Sequence, residues 1–425
     1  YMFYNCYGLT ELNVNHFDVG NVLNAEYMFH NMNKLRVLNL RDWNFNNTFS
    51  ANYMFAECDV LRTIYASDWT SYANGDYMFR NSNELVGNGA SYLVDAPDSS
   101  YYNHTNATTN RYFCSVPELT TNMLVNGTAV KNAIPSKATA VVFTNTVNSG
   151  ATTTDLSALG DGSVVGWLDG TTYYIATIDG SKVIANPDCY EMFASKTSLK
   201  IVDFTNLDTS RAYDMESMFH GCTALTSVNT ELLDMSNVVT IWNMFRTCSN
   251  LKTIDTTGWN TSKITSMRTV FCESGLTEII GIEDWDMRKV ESISYMFSTC
   301  PGFFELSLKN WTFENLELAY QTFYKMNNLI RLDLTGWTLP TKMSDFRYMF
   351  NDCAKLAYIF ADDWTAIGFT SYSAGYMFNS LGLMNGTGNS SNSMMSKATP
   401  NGGYFTNRNT LETNKLVNGV AFYCM

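Results

Sequence analysis

Met244-Phe245-Arg246-Thr247-Cys248-Ser249-Asn250-Leu251-Lys252-Thr253-Ile254-Asp255-Thr256-Thr257-Gly258-Trp259 is the stretch that decides the fold. Counted from Phe245, it places Cys at three, Leu at six, Ile at nine and Trp at fourteen. Ten of the 22 Met residues are followed by Phe, where composition allows about one. Those Phe residues are Phe3, Phe29, Phe55 and Phe79, then Phe193, Phe219, Phe245, Phe297, Phe350 and Phe378; Phe271 and Phe323 fill the two gaps. The period is 26 residues, shortening to 24 at the end of the first series and stretching to 27 and 28 at the end of the second. A repeat of this length is the signature of a solenoid.

The offsets translate into geometry. Leu329, Leu332 and Leu334 end in period-two alternation, which turns one face of a short strand inward. Val238, Ile241, Met244, Phe245 and Cys248 follow at spacings of 3, 3, 1 and 3, which predicts one or two turns of α or 3₁₀ helix. Seven of the nine Trp residues share one slot, a corner after the strand. No single coil can bury its apolar side alone, so stacked coils share a continuous core. The fold class is an α/β, leucine-rich-repeat-like solenoid, with a short strand plus a short helix or 3₁₀ turn per coil and β-rich capping segments.

The register breaks twice, after Phe79 and after Phe378. Each break runs through a Gly/Asn/Ser-rich stretch to Tyr-Phe (Tyr112-Phe113 and Tyr404-Phe405), then to Leu-Val-Asn-Gly at Leu124 and Leu416. The two read as one kind of C-terminal cap. Between them, Asp169-Gly170 and Asp179-Gly180 separate β-rich runs, a hairpin signal because type I′ turns need positive φ. The expected organisation is the end of a first array (1–90), its cap (91–130), an antiparallel β-meander capping the second array (131–186), that array (187–380) and its cap (381–425). Tyr1 falls inside a coil, so the chain reads as part of a longer string of such cassettes.

A net charge of −13, without a Lys/Arg-rich run, argues against nucleic acid and against docking on an anionic membrane. No window approaches 18 apolar residues, so no insertion into a bilayer is expected from this sequence.

Coils such as Tyr295-Met296-Phe297-Ser298-Thr299-Cys300 and Thr257-Gly258-Trp259-Asn260-Thr261-Ser262 resemble the BspA-like leucine-rich repeat surface proteins. Asp161-Gly162-Ser163-Val164-Val165 and Gly403-Tyr404-Phe405-Thr406 are similar to that family's flanking segments. The resemblance implies a cell-surface or secreted protein used in adhesion and recognition. It implies no contact residues, because coils such as those of Phe29 and Phe323 replace Cys by Met.

Catalytic and metal chemistry find little support in the residues. Six of the ten Cys residues stand three after the repeat Phe, in a slot that Met32, Met326 and Leu381 also fill. That slot is therefore a packing position, although Cys222 and Cys248 could approach disulfide range. The four His residues, His16, His30, His104 and His220, are scattered and read as exposed polar positions. Glu283-Asp284 and Asp362-Asp363 fall near the strand ends, where neighbours point to opposite faces and cannot flank one bond. No enzyme, cofactor or metal is expected.

Function is expected on the variable positions. Ten after the repeat Phe stand Asp203, Asn229, Asp255, Ser307, Asp333 and Phe360, a column of changing chemistry on the strand face. Tyr358 shares that outward face. Trp242 lies off the Trp column, where other coils hold Ser294 or Arg347, and is expected to be exposed. These eight residues form the candidate surface of an extracellular adhesin. Its partner would be a protein or glycan of a host or neighbouring cell. The alternative is a spacer or fibre subunit, a phage or injection-particle fibre included, built from copies of itself.

Overall fold

The computed structural model describes residues 1–82, 85, 113–114, 119–367, 374–382 and 397–406, apart from 11, 13, 15, 16, 41, 42, 72, 342 and 343. Most of the expected cap segments 91–130 and 381–425, with Leu416, His16 and His104, lies outside the described residues. The chain forms two compact units, Tyr1–Glu118 and Leu119–Met425.

In the first unit the coil strands are β1 (Val37–Asn39), β3 (Thr63–Tyr65) and β5 (Phe113–Cys114), with β2 (Phe49–Ser50) and β4 (Ala73–Asn74) pairing on a second side. All pairings are parallel, and Leu38 opposes Ile64 one 26-residue coil later.

The second unit opens with helix α1 (Gly127–Ala133), capped by the Asn126 side chain on the amide of Ala129. It continues through β6 (Ala140–Thr144), β7 (Thr154–Asp155), β8 (Val164–Asp169), β9 (Thr172–Thr177) and β10 (Val183–Ile184). The coils follow with β11 (Ile201–Asp203), β12 (Leu207–Asp208), β13 (Ser227–Val228), β14 (Thr253–Asp255), β15 (Glu278–Ile280), β16 (Glu305–Ser307), β17 (Arg331–Asp333) and β18 (Tyr358–Phe360). β8 and β9 form the expected hairpin, with Gly170 at φ +58°. The meander is not wholly antiparallel, however. β6 runs parallel to β9 on one side and to β11 on the other, because the β7–β8 excursion returns the chain in the direction it left. The opening segment thereby extends the sheet of the first coil.

The core of each unit is a set of ladders. Successive repeat Phe rings stack at 5.2 Å (Phe193–Phe219 and Phe219–Phe245) to 6.1 Å (Phe245–Phe271). Trp259, Trp285, Trp311, Trp337 and Trp364 stack beside them at 5.6–6.4 Å. Trp259, Trp311 and Trp337 each give the indole N–H to a carbonyl 29 residues earlier, as at Thr230 (2.9 Å). A buried polar atom is thus matched inside an apolar column. Phe113 in the first unit and Phe405 in the second meet the last Trp edge-on in the same way, both at 4.9 Å.

The Met-Phe segment is not helical. Around Phe245, the amides of Met244, Arg246 and Cys248 bond three residues back, to Ile241, Asn243 and Phe245. Asn243 (φ 58°) and Thr247 (φ 61°) are left-handed, as the third residue of a type II turn requires. Each left-handed residue turns its amide along the solenoid axis. Asn243, Phe245 and Thr247 accordingly donate to Arg268, Val270 and Cys272 of the next coil. Overlapping turns place side chains inward at spacings of three and four, which is why the sequence pattern resembles a helix.

The strand ladder is interrupted between β13 and β14 and between β15 and β16. At the first gap the Thr230 hydroxyl stands in, donating to the Asp255 carbonyl (2.5 Å) and accepting from the Asp255 amide (3.2 Å). The second follows from a slip in register. The Phe271 coil brings its strand one residue early, so Ile254 opposes Ile279 at an offset of 25. Gly281 (φ +80°) and the 3₁₀ turn Ile282–Asp284 then restore Trp285 to its slot.

Candidate interaction surface

Three surfaces remain once the ladders are set aside. The first is the strand face on which the sequence placed most of its candidates. Asp203 accepts from the Thr205 amide (2.9 Å) and hydroxyl (2.5 Å), and Asp333 accepts from Thr335 likewise (3.1 and 2.6 Å). Hydrogen bonds from Thr257 hold the Asp255 carboxyl below the usual range. Asn229 bridges coils, accepting from the Phe204 amide and donating to Asp203, both at 2.8 Å. Ser307 donates to the Glu283 carboxylate. This column closes the turn after each strand and is half-buried, Asp333 fully so. It is a structural column rather than a free surface. Tyr358 and Phe360 are also corrected: they alternate with the inward Ile359 yet are only 3% and 1% exposed. The two rings stack, and the Arg331 guanidinium covers Phe360 at 4.8 Å.

The second surface is a cleft of about 610 Å³ at the β15–β16 gap, lined by Glu278, Gly281, Glu283, Phe303, Glu305 and Ser307 among others. Glu283 and Asp284 sit on the 3₁₀ turn rather than on a strand, correcting their expected placement. Among the described residues, no three His, Cys, Asp or Glu are grouped to hold a metal ion.

The third surface runs along the turns just before Met-Phe. In the first unit Tyr1, Tyr27, Tyr53 and Tyr77 stack face to face at 5.1, 5.0 and 5.2 Å. In the second unit the stripe is mixed. The Arg268 guanidinium lies 5.2 Å from the Trp242 ring and 5.9 Å from Tyr295. Tyr295 meets Tyr320 edge-on at 5.2 Å, and Arg347 covers Tyr320 at 5.3 Å. Tyr320 then meets Tyr348 at 5.8 Å, and Tyr348 stacks on Tyr376 at 5.2 Å. These side chains are half-buried, and Tyr376 is 42% exposed. Trp242 is therefore half-buried under Arg268 rather than open. Of the eight residues chosen from sequence, it alone belongs to the stripe. The others in the stripe were missed, although Tyr two before the repeat Phe is itself a visible register.

His30 and His220, expected to be exposed, are half-buried, and burial lowers the pKa of each. Cys58, Cys222, Cys248, Cys300 and Cys353 are buried free thiols. Among the described residues no helix is long and apolar enough to cross a membrane.

No curated protein matches the chain. Among solved structures it is similar to a leucine-rich repeat protein from Bacteroides ovatus ATCC 8483, at 14% identity and a TM-score of 0.33, over 86% of this chain and 82% of that one. Residues 1–110, 187–278 and 243–364 match the model of a family described as "Mycoplasma protein of unknown function, DUF285". Those segments follow the Met-Phe coils that also carry the likeness to BspA-like leucine-rich repeat proteins. Together they span more than half of the sequence, and the chain belongs to the DUF285 family.

Proposed function

We propose that this repeat protein is a non-enzymatic adhesion or recognition protein of an extracellular surface, with the turn stripe of the second unit as its contact face. The observation that carries this reading is the run of aromatic and guanidinium groups from Trp242 to Tyr376, which the apolar ladders do not need. At about 4.8 Å per coil it extends over roughly 24 Å, enough for several units of an extended ligand. Half-exposed Tyr, Trp and Arg are the side chains that dominate contact energies. The partner is a protein or glycan of a host or neighbouring cell.

Adhesion of chain-coated beads to cultured cells and matrix proteins tests the reading. Wild-type beads are expected to adhere, and a Trp242→Ser/Tyr320→Ser/Tyr348→Ser variant with unchanged circular dichroism is expected to lose most of that adhesion. Equal adhesion by the variant, or none by wild type, would favour the spacer or fibre reading instead.

A further inference from the structure

Arg268 is the one stripe residue whose charge has no evident use. Its guanidinium makes no hydrogen bond or ion pair among the described residues, and its Nε is buried without an acceptor. Arg347, by contrast, is held by both oxygens of Asp345, at 2.9 and 2.6 Å. Trp242 and Tyr295 take up the π faces of the Arg268 guanidinium. Its two terminal Nη groups, unlike the buried Nε, stay available, and that terminal edge matches a carboxylate in a bidentate pair.

The surroundings narrow the ligand. Asn243 and Gln321 stand at the same slot as Tyr295 and Tyr348; the Gln321 amide donates to the Tyr320 hydroxyl at 3.2 Å, and the Asn243 amide oxygen accepts from the Thr269 hydroxyl at 2.6 Å. The backbone of this face is already spent between coils: Asn243, Thr269, Tyr295 and Gln321 donate to Arg268, Ser294, Tyr320 and Arg347 at 2.9–3.2 Å. An added peptide strand would find no ladder to extend, which disfavours recognition by β-augmentation. Ring edges, amides and one unpaired guanidinium instead suit a sugar carrying one carboxylate. A densely charged polyanion is disfavoured by the chain's net charge of −13.

We propose that Trp242, Arg268 and Tyr295 form a subsite for a carboxylated sugar, a sialate or a uronate, with the carboxylate on the Arg268 guanidinium and the ring against Tyr295 and Tyr320. The inference rests on the contact face assigned above and names its ligand. Both sugars share the chemistry of one carboxylate on a pyranose, and separate arms distinguish them.

Calorimetric titration of the full chain with sialyllactose, a glucuronate-terminated trisaccharide, lactose and an unrelated peptide acid provides the test. One of the two acidic sugars is expected to bind at least tenfold more tightly than lactose. Arg268→Gln should abolish that preference with circular dichroism as in wild type; Arg268→Lys should retain part of it. Equal affinity for acidic and neutral sugars, an unchanged preference in Arg268→Gln, or tighter binding of the peptide acid overturns the subsite. So does failure of both acidic sugars to bind. Bead adhesion lost in the Trp242/Tyr320/Tyr348 variant would still stand in each of those cases, so the two readings fail separately.

Discussion

Cys248 shows what the cysteine column is for. Its thiol donates to the Phe219 carbonyl at 3.1 Å, and Cys58, Cys222, Cys300 and Cys353 donate to Phe29, Phe193, Phe271 and Phe323 at 2.8–3.0 Å. Where Ser82 takes the slot, its hydroxyl reaches the Phe55 carbonyl at 2.5 Å. Burial pushes the Cys222, Cys300 and Cys353 thiols up to about 12, so they stay protonated and remain donors. The slot therefore selects a small donor that ties one coil to the Phe of the coil before. Cys248→Ser should keep that tie and Cys248→Ala should lose it, a gap of about 1 kcal/mol in urea denaturation. An alanine variant as stable as the serine variant would mean that the slot selects only for size. The sequence placed this column in the core, but Met32 and Met326 concealed its hydrogen bond, because those coils fill the space without a donor.

At the scale of the element, the turn ladder was the hardest part to read. Left-handed backbone normally announces itself as Gly or Asn, whereas here the two positions flanking Met-Phe carry Tyr, Thr, Glu, Ser, Gln and Lys as well. Among the described residues at these positions only Gly221, Asn5, Asn31, Asn81 and Asn243 carry the usual signal. What holds most of the others is the hydrogen bond the left-handed amide gives to the next coil, as Thr299 does to Tyr324 at 2.7 Å. The strain is local and removable. Thr299 is exposed, β-branched and at φ 59°, so Thr299→Asn should raise stability by on the order of 1 kcal/mol. Thr299→Val should not. Thermal denaturation decides, and equal midpoints for the two variants would contradict the assignment of strain. The strands and Trp corners, by contrast, were legible, because inward alternation and ladder packing follow from the register alone. The stripe was legible only at Trp242: its other members are Tyr and Arg, types common on any surface, and only the stacking of coils brings them into one line.

For the second unit as a whole, stability is a sum over neighbouring coils, so it opens first where one interface is weakest. The β15–β16 junction is that interface. Its core side is continuous, with Phe271 and Phe297 at 5.4 Å and the Trp311 indole bonded to the Ile282 carbonyl at 3.0 Å. On its strand side the pairing is missing, and side chains such as Ser307 and Glu283 bridge instead. Glu278, Glu283 and Glu305 gather there without an ion pair among the described residues, and Phe304 is 59% exposed. One coil later the pattern is regular, and the amides of Ile330 and Arg331 both go to the Phe304 carbonyl, at 2.8 and 3.3 Å. Among the described residues the amides of Phe304 and Glu305 meet no such carbonyl. Hydrogen exchange should therefore be fast at Phe304 and Glu305 and slow at Ile330 and Arg331. The Phe297 amide, bonded to Thr322 at 2.9 Å in the intact turn ladder, should be as slow as Ile330. Fast exchange at Phe297 would mean that the coils separate through the core, and equal protection at Phe304 and Ile330 would mean that the strand ladder is continuous after all. The expected pattern confines the opening to one face, leaving the aromatic stripe on the turn side intact while the strand side breathes.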